Sequence, residues 1–424
     1  MPEIILPTLH AKQAEIYRAR TRRNVVRCGR RFGKTKMMVT MACATALKGG
    51  QAGIFAPEYK QLQEPYDETL SILAPVITAS SKTDGVIKCS TGGKIDLWRL
   101  IDNELAGRGR SYDRVLLDEV AFTKSPQMLD IWLKSIKPTM ATRPQADAWL
   151  FSTPNGNNPE NFFWKACNDP DLGFAEFYAP SIANPLVDRQ WLEDEQRKNH
   201  PDVFRQEYLA EFVDWSGQAF FSEDHWFVDG APVEAPSRCH YVCAIVDTAV
   251  KTGSKNDGTA VVYFAFDPYE VNHKAWVLDW EIAQIEGAIL VDWMPSVFAR
   301  LEELARETGA RNGSIGAWVE DKASGMILNQ QAQRNGWPVM PIDGKLTAVG
   351  KDERAISVSG YHYRGLCKIT RHAYDKTTIY KGSSRNHFIG QVCGFRIGLK
   401  DQADDLLDCY TYGLATLLGD GDWI

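Results

Sequence analysis

The chain has no run of about 18 apolar residues, which excludes a conventional hydrophobic membrane span. Its opening Met1-Pro2-Glu3 lacks a basic segment followed by an apolar one, so secretion is not expected. Cysteine is sparse and scattered. Of nine, only Cys239 and Cys243 stand close together, and no second pair completes a zinc site. Buried or idle thiols in a reducing cytoplasm are the expectation. Neither sign of charge dominates, and a net charge of −6 argues against a protein coated in basic surface. What is present is the composition of a soluble globular protein, 44% hydrophobic and 24% charged over 424 residues. That length exceeds one ordinary core and implies two domains, with room for a third.

Charge is nonetheless uneven. From Lys345 to Lys400, eleven Lys/Arg stand against three Asp/Glu. Such a segment is either a solvated face or a track for nucleic acid, and charge alone does not separate the two.

The chain is organised around Asn24-Val25-Val26-Arg27-Cys28-Gly29-Arg30-Arg31-Phe32-Gly33-Lys34-Thr35. A short apolar strand enters a Gly/Arg loop, which ends in Gly-Lys-Thr and opens a helix from Lys36 to about Leu47. This is the layout of a P-loop. Backbone N–H groups from Cys28 to Gly33 and the positive end of the helix cradle phosphate, Lys34 reaches the terminal phosphates, and the Thr35 hydroxyl sits on Mg²⁺. Cys28 occupies the first glycine slot of the pattern, with Gly29 just after it. A bare Gly-Lys-Thr can fall on a surface turn by chance; the flanking strand and helix favour the nucleotide reading. Upstream, an amphipathic helix carries Gln13, whose amide could bond an adenine edge or be ordinary helix surface.

Strands follow at Gly53–Pro57 and Lys94–Leu100, with a polar helix from Tyr59 to Leu73 between them. The apolar strand Arg114–Leu117 ends in Asp118-Glu119, two carboxylates where an open α/β sheet exposes its ligand crevice. Asp118 would hold Mg²⁺ and Glu119 would orient and deprotonate the attacking water. A helix-capping turn is the bland alternative. Upstream of that strand, Leu105-Ala106-Gly107-Arg108-Gly109-Arg110-Ser111 offers either two solvated arginines or one that meets a developing phosphoryl charge. Trp149-Leu150-Phe151 breaks into the Ser152-Thr153-Pro154 turn, of the kind that senses a γ-phosphate in motor ATPases. Residues 1–212 thus read as an α/β domain with a mostly parallel sheet, closing with a helical stretch over Asp188–Phe212. Broken patterning over 213–238 marks a linker.

A different order begins at 239 and runs to 424. Strands at Tyr241–Asp247, Thr259–Phe266 and Lys274–Glu281 precede a helix over about Ile289–Thr308. A strand at Ser314–Asp321 follows, and the chain closes in a helix from about Ala403 to Leu418. Acids at the ends of the first and fourth strands and in the late helix describe a ribonuclease-H-like arrangement. Asp247, Glu320 and one of Asp404/Asp405 would hold two divalent ions that clamp a phosphodiester. Asp404, Asp405 and Asp408 also suit a helix N-terminus for purely structural reasons. Asp257 is a further candidate ligand or a plain turn residue.

In order and across nearly the whole chain, these signatures resemble the large terminase subunit of tailed double-stranded DNA bacteriophages. They include Gln13, Cys28–Thr35, Asp118-Glu119, Ser152-Thr153-Pro154 and Arg205-Gln206-Glu207-Tyr208-Leu209-Ala210-Glu211-Phe212. The series continues with the Asp247 strand, Glu320-Asp321-Lys322-Ala323-Ser324-Gly325, Lys351-Asp352-Glu353-Arg354-Ala355 and Asp404-Asp405-Leu406-Leu407-Asp408. The resemblance implies an N-terminal P-loop ATPase domain of the ASCE type and a C-terminal nuclease domain. The first would use ATP and Mg²⁺ to drive double-stranded DNA into a procapsid; the second would cut the concatemer, with Mn²⁺ able to replace Mg²⁺. It also implies an arginine within the phosphate loop (Arg30 or Arg31), a trans-acting arginine (Arg108 preferred over Arg110), and coupling by Ser152 and Thr153. Lys351 and Arg354 become expected DNA contacts, and spacing to Gly325 favours Glu320 over Asp321 as ligand. The implied partners are the portal protein, the small terminase subunit and further copies in a ring on the procapsid, although isolated subunits of the family are often monomers. The implied place of action is the cytoplasm of an infected bacterium rather than the mature virion, with no membrane involved. The competing readings are a P-loop helicase or repair ATPase without nuclease activity, a nuclease with an inert nucleotide site, and a non-enzymatic assembly adaptor.

Overall fold

The computed structural model describes residues 4–101, 103–123, 127–215, 220–248, 258–285, 290–320, 324–399 and 402–419. The chain divides into two compact units, Met1–Arg197 with Pro201–Asp214, and Lys198–His200 with Trp215–Ile424.

The first unit is built on eight strands: β1 (Arg23–Cys28), β2 (Gln51–Ala56), β3 (Ile77–Ser81), β4 (Val86–Cys89), β5 (Lys94–Arg99), β6 (Arg114–Leu117), β7 (Asp147–Ser152) and β8 (Ala175–Ala179). They lie in the order β3-β4-β5-β2-β6-β7-β1-β8. From β5 to β8 every pairing is parallel. The near-continuous apolar runs of β2, β6 and β7 suit strands covered on both faces. Helix Lys34–Leu47 covers one face through Met37, Met38 and Met41, while Met128, Trp132 and Phe162 pack on the other. The placement of β7 between β1 and β6 matters most for the site. Arg27 stands opposite Ser152, and Leu117 opposite Leu150, so all three strand ends open on one crevice.

Two features depart from expectation. An antiparallel hairpin, β3–β4, closes one edge of the sheet; β3 is exposed at its three middle residues and carries no apolar alternation to reveal it. The helical stretch expected over 188–212 is two helices, Arg189–Lys198 and Pro201–Glu207, because Pro201 has no N–H to continue the first.

The second unit is a six-stranded mixed sheet: β9 (Tyr241–Asp247), β10 (Thr259–Phe266), β11 (Ala275–Ala283), β12 (Ser314–Val319), β13 (Val339–Pro341) and β14 (Cys367–Ile369), in the order β13-β12-β9-β10-β11-β14. The antiparallel run β9–β10–β11 with β12 and β13 added in parallel beside β9 is the ribonuclease-H-like topology expected. Helix Leu290–Glu307 packs on one face through Met294, Val297 and Leu301. The closing helix, Asp405–Leu418, lies close on Phe264 of β10, where a Cβ at Gly413 would come within 2.5 Å of the ring. The linker expected over 213–238 is shorter than that. Phe220, Phe221 and Trp226 are buried in the second unit, and the Trp226 indole N–H donates to the Tyr410 hydroxyl at 2.8 Å. Apolar anchoring outweighs the local Gly and Pro content there.

Candidate active sites

In the first unit the phosphate loop is shaped by two glycines. Gly33 takes φ 94° at the mouth of helix Lys34–Leu47. A Cβ at Gly29 would meet the Tyr208 carbonyl oxygen at 2.4 Å and Ser181 Oγ at 2.5 Å, so no larger residue fits. The glycine requirement therefore falls at 29, which frees position 28. Cys28 turns into the core, and burial pushes its thiol up to about 12, leaving a neutral packing group.

At the loop's end, Lys34 Nζ lies 2.8 Å from Glu119 Oε1. Burial alone would lower the lysine's pKa, but the Glu119 charge lifts it above its ordinary value. The other Glu119 oxygen accepts from the Ser152 hydroxyl at 3.1 Å, and Ser152 Oγ accepts from the Ala121 N–H at 3.2 Å. Glu119 itself adopts φ 46°, which aims its carboxylate back toward the loop. Asp118 is buried beside it, and its carboxyl is pushed up to about 7 by burial first and by Glu119 second, against the pull of Lys34. The hydroxyl of Thr35 and the carboxylate of Asp118 supply hard oxygen donors, which suits Mg²⁺. Thr153 is buried behind Ser152, and Phe32 is buried with its ring edge-on to His10.

The arginines separate cleanly. Arg30 is taken by Glu207, Nε to Oε2 at 2.6 Å, whereas Arg31, at φ 62°, is exposed with no side-chain partner among the described residues. Arg110 pairs with the buried Asp96 at 3.5 Å, whereas Arg108 is exposed and likewise unpartnered among the described residues. Gln13 needs a correction. Its amide is buried, accepting from His10 N–H at 3.1 Å and donating to the Gly33 carbonyl at 2.9 Å, so it braces the loop instead of waiting for an adenine.

In the second unit, β9 and β12 run in parallel with Val246 opposite Val319, so the next residues, Asp247 and Glu320, emerge side by side. Asp405 opens the last helix and accepts the Gly258 N–H at 2.9 Å, at the foot of β10, where Ala260 stands opposite Asp247. Asp408, three residues on, shares the Asp405 face. The carboxyl of Asp247 is pushed well above its usual range by burial and then by Asp408, Glu320 and Asp405. These four acids therefore crowd one end of the sheet. Oxygen-only donors fit a hard divalent cation, although among the described residues no three stand at ligand spacing. Cations of the chain lie among them instead: Lys351 pairs with Asp404, and Arg354 with Asp408.

That placement corrects the expectation for Arg354. It is buried, bonded to Asp408, to Thr411 Oγ1 at 3.1 Å and to the Tyr412 hydroxyl at 3.0 Å, with its guanidinium over the Tyr412 ring at 4.0 Å. Its guanidinium is taken up by the closing helix and by the Val349 carbonyl, not turned toward DNA. Lys351 keeps partial exposure. The other oxygen-bearing neighbour is Tyr412, whose hydroxyl donates to Glu320 at 3.1 Å; nothing in the spacing of the sequence announces it. Asp257 and Asp321 lie outside the described residues.

A P-loop sheet with its Ser152 strand inserted beside the Asp118 strand, and a ribonuclease-H-like sheet ending in acids, define a chain of two α/β units, each with its own cluster of carboxylates. Residues 26–226 match the family model "Terminase large subunit, T4likevirus-type, N-terminal". A terminase large subunit of Thermus virus P23-45 is 29% identical over 259 residues, 51% of each chain. One of Escherichia phage T5 is 31% identical over 113 residues, 26% of this chain and 25% of that one. The match thus spans about half the length of the first of these curated relatives. By fold, the large terminase of a thermophilic bacteriophage superposes with a TM-score of 0.63 at 12% identity, over 96% of this chain and 98% of that one. The same enzyme in complex with ADP gives 0.61 at 13% identity, over 96% and 99%. The chain is therefore related to terminase large subunits, by sequence through its first unit and by fold through both.

Proposed function

We propose that this protein is the large subunit of a viral DNA-packaging terminase, hydrolysing ATP to translocate double-stranded DNA and cutting it with a metal-dependent nuclease. The observation that carries the first half is the Lys34–Glu119–Ser152 contact set at the mouth of a phosphate loop. With nucleotide bound, Lys34 would turn from Glu119 to the phosphates, leaving Glu119 free to take a proton from water while Ser152 holds its second oxygen. Mg²⁺ at Thr35 and Asp118 would neutralise charge on the phosphates. Arg31 is the loop arginine left free to reach phosphate, and Arg108 the arginine free to serve a neighbouring copy in a ring.

The second half rests on Asp247, Glu320, Asp405 and Asp408 gathered at one sheet end. Divalent cations there, Mg²⁺ or Mn²⁺, would activate water and stabilise the leaving oxygen. The chain's own part is to aim the carboxylates, with Tyr412 orienting Glu320 and Arg354 orienting Asp408. The sequence resemblance is our ground for proposing a portal protein, a small subunit and a procapsid as partners, met in the cytoplasm of an infected bacterium.

The test is separation of function in the purified chain. Lys34→Ala should abolish Mg²⁺-dependent ATP hydrolysis and leave plasmid cleavage; Asp247→Ala should do the reverse. Cleavage that survives Asp247→Ala at the parent rate would remove the nuclease and leave the helicase or repair ATPase reading.

A further inference from the structure

The stretch around Gln206-Glu207 has no assigned chemistry, yet it touches the phosphate loop and the turn beyond Ser152 at the same time. Glu207 holds Arg30 twice: its carboxylate takes the guanidinium at 2.6 Å, and its backbone carbonyl takes the Arg30 N–H at 2.7 Å. Its other carboxylate oxygen accepts from Gln206 Nε2 at 3.1 Å, and Gln206 Oε1 accepts from the Gly156 N–H at 2.9 Å. Both side chains are buried, 3% and 8% exposed, so their contacts with each other and with Gly156 are shielded from water, whereas the Arg30 guanidinium remains exposed. Gly156 lies four residues beyond Ser152, the residue that bonds Glu119, and Glu119 pairs with Lys34. The contacts therefore close a ring: loop, Glu119, Ser152, the 152–156 turn, Gln206, Glu207 and back to the loop at Arg30.

Position 206 needs an amide for this. A carboxylate there could accept from Gly156 but could not donate to Glu207, and an alkyl group could do neither. Position 207 needs a charge to hold Arg30, whereas Arg31 has no side-chain partner among the described residues.

We propose that Gln206 and Glu207 are positioning residues that tie the state of the phosphate loop to the Ser152–Gly156 turn, so that displacement of Arg30 is felt at Glu119 through a second route. The proposal rests on the ATPase reading above and assigns that site a mechanical return path.

A double-mutant cycle in the full chain decides it, with ATP turnover read for the parent, Gln206→Ala, Arg30→Ala and the pair. Gln206→Ala should lower kcat several-fold with KM for ATP within about twofold, because Gln206 touches the turn and not the phosphate seat. The double variant should depart from the product of the single effects by about threefold or more. Glu207→Gln keeps size but turns one acceptor oxygen into a donor, so it cannot accept from both Arg30 and Gln206; it should reproduce the loss in kcat, with the melting temperature read beside it to separate a folding defect. Multiplicative effects, or a fall in melting temperature with kcat intact, would overturn the proposal. A parent that binds ATP without hydrolysing it would instead sink the ATPase reading; the same cycle read on nucleotide Kd then decides, coupling supporting the ring of contacts and additivity refuting it.

Discussion

The two acid-rich centres solve opposite electrostatic problems. In the phosphate-loop unit the cation is built in: Lys34 sits against Glu119 at 2.8 Å, and Ser152 takes the remaining oxygen. In the second unit four acids converge, chain cations pair with Asp404 and Asp408, and Asp247 bears the repulsion as a carboxyl pushed well above its usual range. The first centre is arranged ahead of its ligand and must give up an internal pair to bind it. The second gathers negative charge that an incoming cation relieves. A pre-paired site and a repulsive site should therefore respond differently to substitution.

The largest effect tests their independence. Lys34→Ala should cost about a thousandfold in ATP turnover, the scale of losing a charge-stabilising donor, and Asp247→Ala a comparable loss in plasmid cleavage, each leaving the other activity near the parent rate. Parallel loss of both activities in either variant would erase the comparison. Next is Arg354→Met, which strands Asp408 in a buried site and should destabilise the second unit by about 3 kcal/mol or more, seen as a lowered denaturant midpoint. The salt dependence of DNA binding should stay as in the parent; a shallower slope would restore Arg354 to the DNA surface. Lys351→Ala, at a partly exposed pair, should cost under about 1 kcal/mol.

A pH effect of intermediate size belongs to the second unit. His362 is buried between the Tyr410 hydroxyl and the Ser222 carbonyl, with His225, His200 and Lys368 nearby, and burial lowers its pKa from 6.5 to about 3. Its neutral form is favoured in the folded state, so its contribution is intact above pH 6.5 and is lost as pH falls from there toward 3. Between pH 6.5 and 5 that amounts to about 2 kcal/mol, and His362→Gln should flatten the pH dependence of unfolding over that range. The smallest effect is at Ser152→Ala, which loses the bonds to Glu119 and to the Ala121 N–H; the one to Glu119, about 1 kcal/mol, should lower kcat roughly fivefold with nucleotide Kd unchanged.

The strands that carry chemistry were legible because each is a short apolar run ending in a charged or polar residue: β1 before the loop, β6 before Asp118, β9 before Asp247 and β12 before Glu320. Their sheet order follows from the P-loop and ribonuclease-H-like templates those endings suggest. The polar edge strand β3 and the break at Pro201 were not seen, the first for want of an apolar pattern and the second because one proline was read within a helical stretch. Side-chain partners were the least legible. The family resemblance points Arg354 at DNA, whereas its burial depends on Asp408 and Tyr412 more than fifty residues away. Gln13 reads as either an adenine contact or helix surface for a like reason: nothing local reveals that Gly33 and His10 take its amide.

Glu119 sits at φ 46°, a backbone shape that costs a residue bearing a Cβ about 1 kcal/mol or more and costs glycine almost nothing. Glu119→Gly would relieve that cost, yet it would strand Lys34 in its buried seat without a counter-charge, a loss of about 3 kcal/mol or more that outweighs the relief. The awkward backbone is thus held by the very ion pair it makes possible, and a chain that shed the carboxylate would have to shed the lysine with it.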